Sequence, residues 1–162
     1  MRTLFSIHAG AEHFWPLEPV ARTLVQAGHE DAICAPRSTQ AAVEACGLTF
    51  FEAGLDWPAL INCFTGQPLL PLPPFGPAWA HCVFAELTPH YMIPDLLAVA
   101  NQWRPELIIR DATEYAGAIA AEYLGLPHAS VVVDAFSAID SPEWESITGN
   151  RMMVADALAQ HR

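Results

Sequence analysis

A chain of 162 residues with 52% hydrophobic content closes one good core and does not divide into two independent domains. Eighteen Asp and Glu against seven Lys and Arg give a formal net charge of -11, which argues against nucleic acid or an anionic membrane surface as partner, because phosphates are held by Lys and Arg. Cysteines 34, 46, 63 and 82 form no Cys-x-x-Cys pair, so neither a zinc knuckle nor a disulfide framework is indicated. The thiols read as reduced and the location as cytoplasmic. The apolar run after Arg2, broken by His8 and Gly10, is too short for a signal-peptide core.

Leu4, Phe5 and Ile7 predict a first strand, followed by a loop carrying Gly10 and His13. Leu17, Val20, Ala21, Leu24 and Val25 fall at helical spacing up to Ala27, and Gly28 stops that helix. Asp31 to Ala35 reads as a second strand ended by Pro36, Ser38 to Cys46 as a helix capped by Ser38, and Leu48 to Phe51 as a third strand. This βαβαβ order with right-handed crossovers gives a parallel sheet with helices on its faces. From Trp57 to Ala85 there is no Asp, Glu, Lys or Arg, while prolines stand at 58, 68, 71, 73, 74 and 77. A membrane helix cannot carry that many breaks, so the segment reads as a long apolar loop. Its aromatic residues Trp57, Phe64, Phe75, Trp79 and Phe84 suit either a pocket wall or the cover of an interface. The helical period returns from Glu86, with a break or kink at Pro89 and Pro94, and ends at Trp103-Arg104-Pro105. Leu107 to Ile109 is a fourth strand closed by Arg110 and Asp111, Thr113 to Leu124 a helix stopped by Gly125, and Ser130 to Val133 a fifth strand closed by Asp134. Ser141-Pro142-Glu143 opens a last segment read as helical toward Arg162. The fold class is α/β, a Rossmann-like parallel sheet with helices on both faces.

In a doubly wound sheet strands one and four are neighbours at the switch point, where ligands bind outside the carboxyl ends of the strands. That places Gly10 and His13 beside Asp111. A buried carboxylate fixes the tautomer of a histidine and stabilises the imidazolium once the other nitrogen has taken a proton, which makes His13 a general base and Asp111 its orienting partner. No Gly-x-Ser-x-Gly elbow is present, so the group deprotonated belongs to a substrate, such as a hydroxyl. The competing reading makes both residues structural, His13 capping the first helix and Asp111 the helix near Thr113. The turn after strand one contains only Gly10, so the dinucleotide fingerprint fails; Walker A is absent too. His8 and His13 lack a His-Glu-x-x-His context, and no metal is expected. His29, His81, His90, His128 and His161 read as surface or core polar residues.

Phe5-Ser-Ile-His-Ala-Gly-Ala-Glu-His13-Phe-Trp-Pro16-Leu, Ala27-Gly-His-Glu, Ala45-Cys-Gly-Leu-Thr-Phe, Trp103-Arg-Pro-Glu-Leu-Ile-Ile-Arg-Asp111 and Gly117 to Leu126-Pro follow one another over nearly the whole chain. Together they resemble the N-terminal half of bacterial glycosyltransferases of the GT-B fold, in particular actinomycete enzymes that attach activated sugars to polyketide and macrolide aglycones. The resemblance implies that residues 1–162 are an acceptor-binding domain whose nucleotide-sugar-binding C-terminal partner is absent from this chain. It implies His13 as the base for the acceptor hydroxyl, Asp111 as its orienting aspartate and the 57–85 segment as wall for an apolar aglycone. Gly10, Trp57, Phe64, Phe75, Trp79, Phe84 and Asp134 are the substrate-binding candidates. No cofactor or metal is implied beyond an NDP-sugar co-substrate; the reaction is direct displacement with inversion, the fragment alone is expected not to transfer sugar, and a homodimer is left open. One departure is the loop Gly10-Ala-Glu12-His13, where the family has small residues or a second histidine. The alternative from another class is a non-catalytic protein that binds an apolar ligand or docks a partner through residues 57–85; a flavodoxin-like cofactor domain is a third.

Overall fold

Residues 1–65, 79 and 81–132 are described by a computed structural model. Five strands, β1 (Arg2–Ser6), β2 (Glu30–Ala35), β3 (Thr49–Glu52), β4 (Leu107–Asp111) and β5 (His128–Val131), form one parallel sheet in the order β3-β2-β1-β4-β5. β1 lies at the centre, its Ser6 opposite Cys34 of β2 and Arg110 of β4. The helices are α1 (Ala11–Phe14), α2 (Glu18–Gln26), α3 (Gln40–Ala45), α4 (Trp57–Thr65), α5 (Thr88–Trp103) and α6 (Tyr115–Leu124).

Strand alternation divides the core in two. Leu4, Ala32, Cys34 and Ile108 point to one face, where Met92, Ile93 and Leu96 of α5 and Ile119 and Ala120 of α6 cover them. Phe5, Ile33 and Ile109 point to the other, against Phe14 of α1, Ala21 of α2 and Val43 of α3. Leu4, Phe5, Ile33 and Ile108 are wholly buried. A parallel sheet needs such cover on both faces.

The elements depart from the expected ones where local chemistry competes. His13 lies in the one-turn helix α1, not in an open loop. The second predicted helix is a 3-10 turn, Arg37–Thr39, followed by α3. Ser38 does not cap it; the Ser38 amide donates to Asp56 Oδ1 at 3.1 Å. The apolar segment is helical at both ends, as α4 and as a π-helical turn over His81–Leu87. Pro58 sits in the first turn of α4, where a missing N–H costs nothing. α5 begins with Pro89 in its first turn and runs through Pro94. β5 comes two residues earlier than expected, because pairing with β4 starts directly after Pro127, whose carbonyl accepts from Ile108. Phe75 and Asp134, and the segment predicted to be a last helix, lie outside the described residues. Among those described, no helix is long and apolar enough to cross a membrane.

Candidate active site

β1 leads through Ile7, His8 and Ala9 to Gly10, whose φ of 113° is open to glycine and strained for other residues. The turn it makes starts α1, and the Gly10 carbonyl accepts from the His13 amide at 3.2 Å. Phe14 and Leu17, both fully buried, pin the helix from below and leave the His13 side chain 14% exposed at the rim. The last residue of β4 is Asp111, whose side chain is wholly buried.

These two side chains meet: His13 Nδ1 is hydrogen-bonded to Asp111 Oδ2. The other carboxylate oxygen, Oδ1, accepts from the amide of Thr113 at 2.9 Å and from its hydroxyl at 3.0 Å. Burial alone would push the Asp111 carboxyl up, but the His13 hydrogen bond, the nearby His8 and the Thr113 amide together hold it below the usual carboxylate range. With a carboxylate fixing Nδ1, His13 presents Nε2 as the nitrogen able to take a proton. Asp111 is not the cap of the following helix; Glu114 fills that place, accepting from the amides of Ala116 and Gly117.

His8 adds a second imidazole, with its ring 5.2 Å from that of His13 at an interplanar angle of 72°. It is wholly buried, and neither ring nitrogen has a hydrogen-bond partner of good geometry among the described residues. Burial drives its pKa down to about 4, more than the pull of Asp111 restores, so His8 is neutral at pH 7. Phe84 lies 4.9 Å from the His8 ring, Trp57 6.1 Å from His8 and 6.5 Å from His13, and Trp79 5.8 Å from Phe84. Of the five aromatic residues singled out in the uncharged segment, Trp57 and Phe84 thus stand beside the histidines and Trp79 beside Phe84; Phe64 lies in α4, and Phe75, like Asp134, is not described.

Residues 78–149 match the family described as "Erythromycin biosynthesis protein CIII-like, N-terminal domain". Over 154 residues the chain is 30% identical to 10-deoxymethynolide desosaminyltransferase of Streptomyces venezuelae, covering 82% of this chain and 36% of that protein. Tylactone mycaminosyltransferase of Streptomyces fradiae is also 30% identical, with 82% and 34% covered. The chain is a homologue of the N-terminal part of bacterial natural-product glycosyltransferases. It spans about a third of the length of these relatives. Among solved structures, glycosyltransferase VinC in complex with dTDP is 31% identical, with a TM-score of 0.68 over 99% of this chain and 43% of VinC. SsfS6 of Streptomyces sp. SF2575 shares the fold at 22% identity, with a TM-score of 0.78 over 99% of this chain and 46% of its own. The α/β sheet described above is the N-terminal half of a GT-B fold.

Sequence reasoning passed over three residues of the site. His8 is read in the sequence only beside His13 as a metal ligand that lacks its motif, although strand alternation carried two residues past β1 puts it on the same face as Ser6. Arg110 is read only as the end of a strand, yet its Nη1 donates to the carbonyls of Asp111 at 3.2 Å, Ala112 at 2.8 Å and Glu114 at 2.8 Å. Glu114 is hidden because Glu is not a preferred capping residue, and Thr113 beside it is. Glu12, next to the base in sequence, turns its carboxyl group over Gly10, 2.5 Å from where a Cβ there would stand.

Proposed function

We propose that this chain is the acceptor-binding part of an inverting glycosyltransferase that transfers a sugar from an NDP-sugar to a hydroxyl of an apolar natural-product aglycone. The observation that carries this reading is the contact between His13 and the buried, ionised Asp111 at the carboxyl ends of adjacent central strands. The acceptor oxygen attacks the anomeric carbon, the bond from that carbon to the diphosphate oxygen breaks, and the hydroxyl proton passes to His13 Nε2. The imidazolium formed is balanced by Asp111, which keeps its negative charge throughout. Trp57, Trp79 and Phe84 supply an apolar wall for the aglycone beside the base. The donor is held by a second domain, as the length of the relatives suggests, and no cofactor or metal takes part in this scheme.

The test joins the chain to the nucleotide-sugar-binding domain of a relative and assays an NDP-sugar with a panel of aglycones. His13→Ala is expected to lower the rate by roughly 10²–10⁴ while leaving acceptor binding in place. A variant that transfers sugar as fast as the parent would remove His13 from the chemistry and favour a non-catalytic binding protein.

A further inference from the structure

Ser6 and Glu114 take no part in the proton transfer, yet both are wholly buried polar residues next to it. Glu114 Oε1 accepts from the Ala116 amide at 2.6 Å, and Oε2 accepts from the Gly117 amide at 2.8 Å and from the Ser6 hydroxyl at 2.6 Å. A Cβ on Gly117 would stand 2.8 Å from Glu114 Oε2 and 2.9 Å from Ser6 Cβ, so position 117 has no side chain where this junction needs the space. Two of the three bonds cap α6, a task that a shorter Ser, Thr or Asp performs without a longer buried carboxylate. The third does something a cap does not require. It ties β1, two residues before His8 and seven before His13, to the turn that begins at Asp111.

That turn is held from its other side by Arg110, whose guanidinium claims three of its carbonyls. Ser6 and Arg110 are register partners in the sheet, so the two restraints act at the same level of the β1–β4 ladder. We propose that the Ser6–Glu114 bridge is a positioning device, setting the distance between the end of β1 and the tip of β4 so that Asp111 Oδ2 meets His13 Nδ1. It rests on the reading of His13 as base. Glutamine cannot replace Glu114 here, because one amide oxygen cannot serve both sides and the amide NH2 would face a backbone N–H.

The test uses Ser6→Ala and Glu114→Gln in the 162-residue chain, with Asp111→Asn to assign the downfield imidazole N–H proton resonance of His13 that the contact with Asp111 produces. Each variant is observed at a temperature where circular dichroism shows it folded. The expected result is that both variants weaken or lose this resonance. In the enzyme completed with a donor domain, kcat falls about 10–100-fold with the acceptor KM within about twofold, the mark of a misplaced catalytic group. A lowered melting temperature with resonance and kcat unchanged would reduce Glu114 to a helix cap and overturn the proposal. So would absence of the resonance from the parent chain. If Glu114→Gln does not fold, Ser6→Ala, which removes a single hydroxyl, decides alone. Failure of the base assignment shows separately, as undiminished transfer by His13→Ala, and leaves the resonance as a measure of the bridge.

Discussion

Asp111 does for His13 what a solvent molecule could not: it takes one ring nitrogen permanently and keeps a negative charge against the ring. Asp111→Asn retains the shape but lets the amide favour the wrong tautomer, and in the completed enzyme it is expected to cost on the order of 10²–10⁴ in kcat. Steady-state rates compared with His13→Ala and with the double variant check this; since the two act as a unit, the double variant should be little worse than either single one. His8 gives a prediction on the chain alone. Its folded pKa of about 4 lies below the ordinary 6.5, so between these values the unfolded chain binds more protons. The His8 contribution to stability is full above pH 6.5 and is lost as the pH falls toward 4. Asp111 acts in the same sense at lower pH, where protonation of its depressed carboxyl removes stability. Glu114 and Asp31, both raised by burial, act in the opposite sense. Comparing chemical unfolding at pH 7 and 4.5, His8→Phe should lose less stability than the parent by roughly 2–3 kcal/mol; equal losses would show that His8 is not the buried neutral base described. His13 and Asp111 are legible in the sequence because strand order alone brings them to one rim. The state of His8 is not, since burial depends on Phe84 and Trp57 arriving from distant segments.

Between β4 and α6, three residues carry more constraint than any propensity scale records. Thr113 looks like the helix start in the sequence, but its amide and hydroxyl are both drawn to Asp111, and the helix begins only after Glu114. Ser38 also looks like a helix start, but it lies inside a 3-10 turn, and its amide donates to Asp56. The uncharged segment fails differently. Prolines within it read as breaks throughout, whereas Pro58 occupies a first helical turn and is harmless there, so α4 forms where a loop is expected. Gly117→Ala tests the junction at α6. Alanine is the better helix former, yet its methyl would press on Glu114 and Ser6, and the expected outcome is a loss of about 1–3 kcal/mol in denaturant unfolding. Stability equal to or above the parent would mean that the junction yields freely.

For the molecule as a whole, the strand order and the two-sided core follow from the alternation of apolar strands and helical stripes, and the observed order β3-β2-β1-β4-β5 is the one that the switch-point reading requires. The aromatic surroundings of the two histidines were legible only as a surplus of aromatic residues without charge. Which of them stand beside His8 and His13 depends on how α4 and the π-helical turn are placed against the segment that follows β1. In the proposed reading an apolar aglycone enters beside Trp57 and Trp79, so its titration should quench tryptophan fluorescence of the chain. Trp57→Ala should weaken that binding about tenfold or more, and unchanged affinity would place the acceptor elsewhere.

The central place of β1 and β4 has a consequence for how such a protein can diversify. Amides in their ladder are expected to exchange with deuterium only through global unfolding, whereas α4 and the turn over His81–Leu87 stand outside the sheet and can open on their own. Changes in those outer segments can therefore alter the surroundings of the His13–Asp111 contact while the contact keeps its geometry; under the proposed function, selectivity can then drift without loss of chemistry.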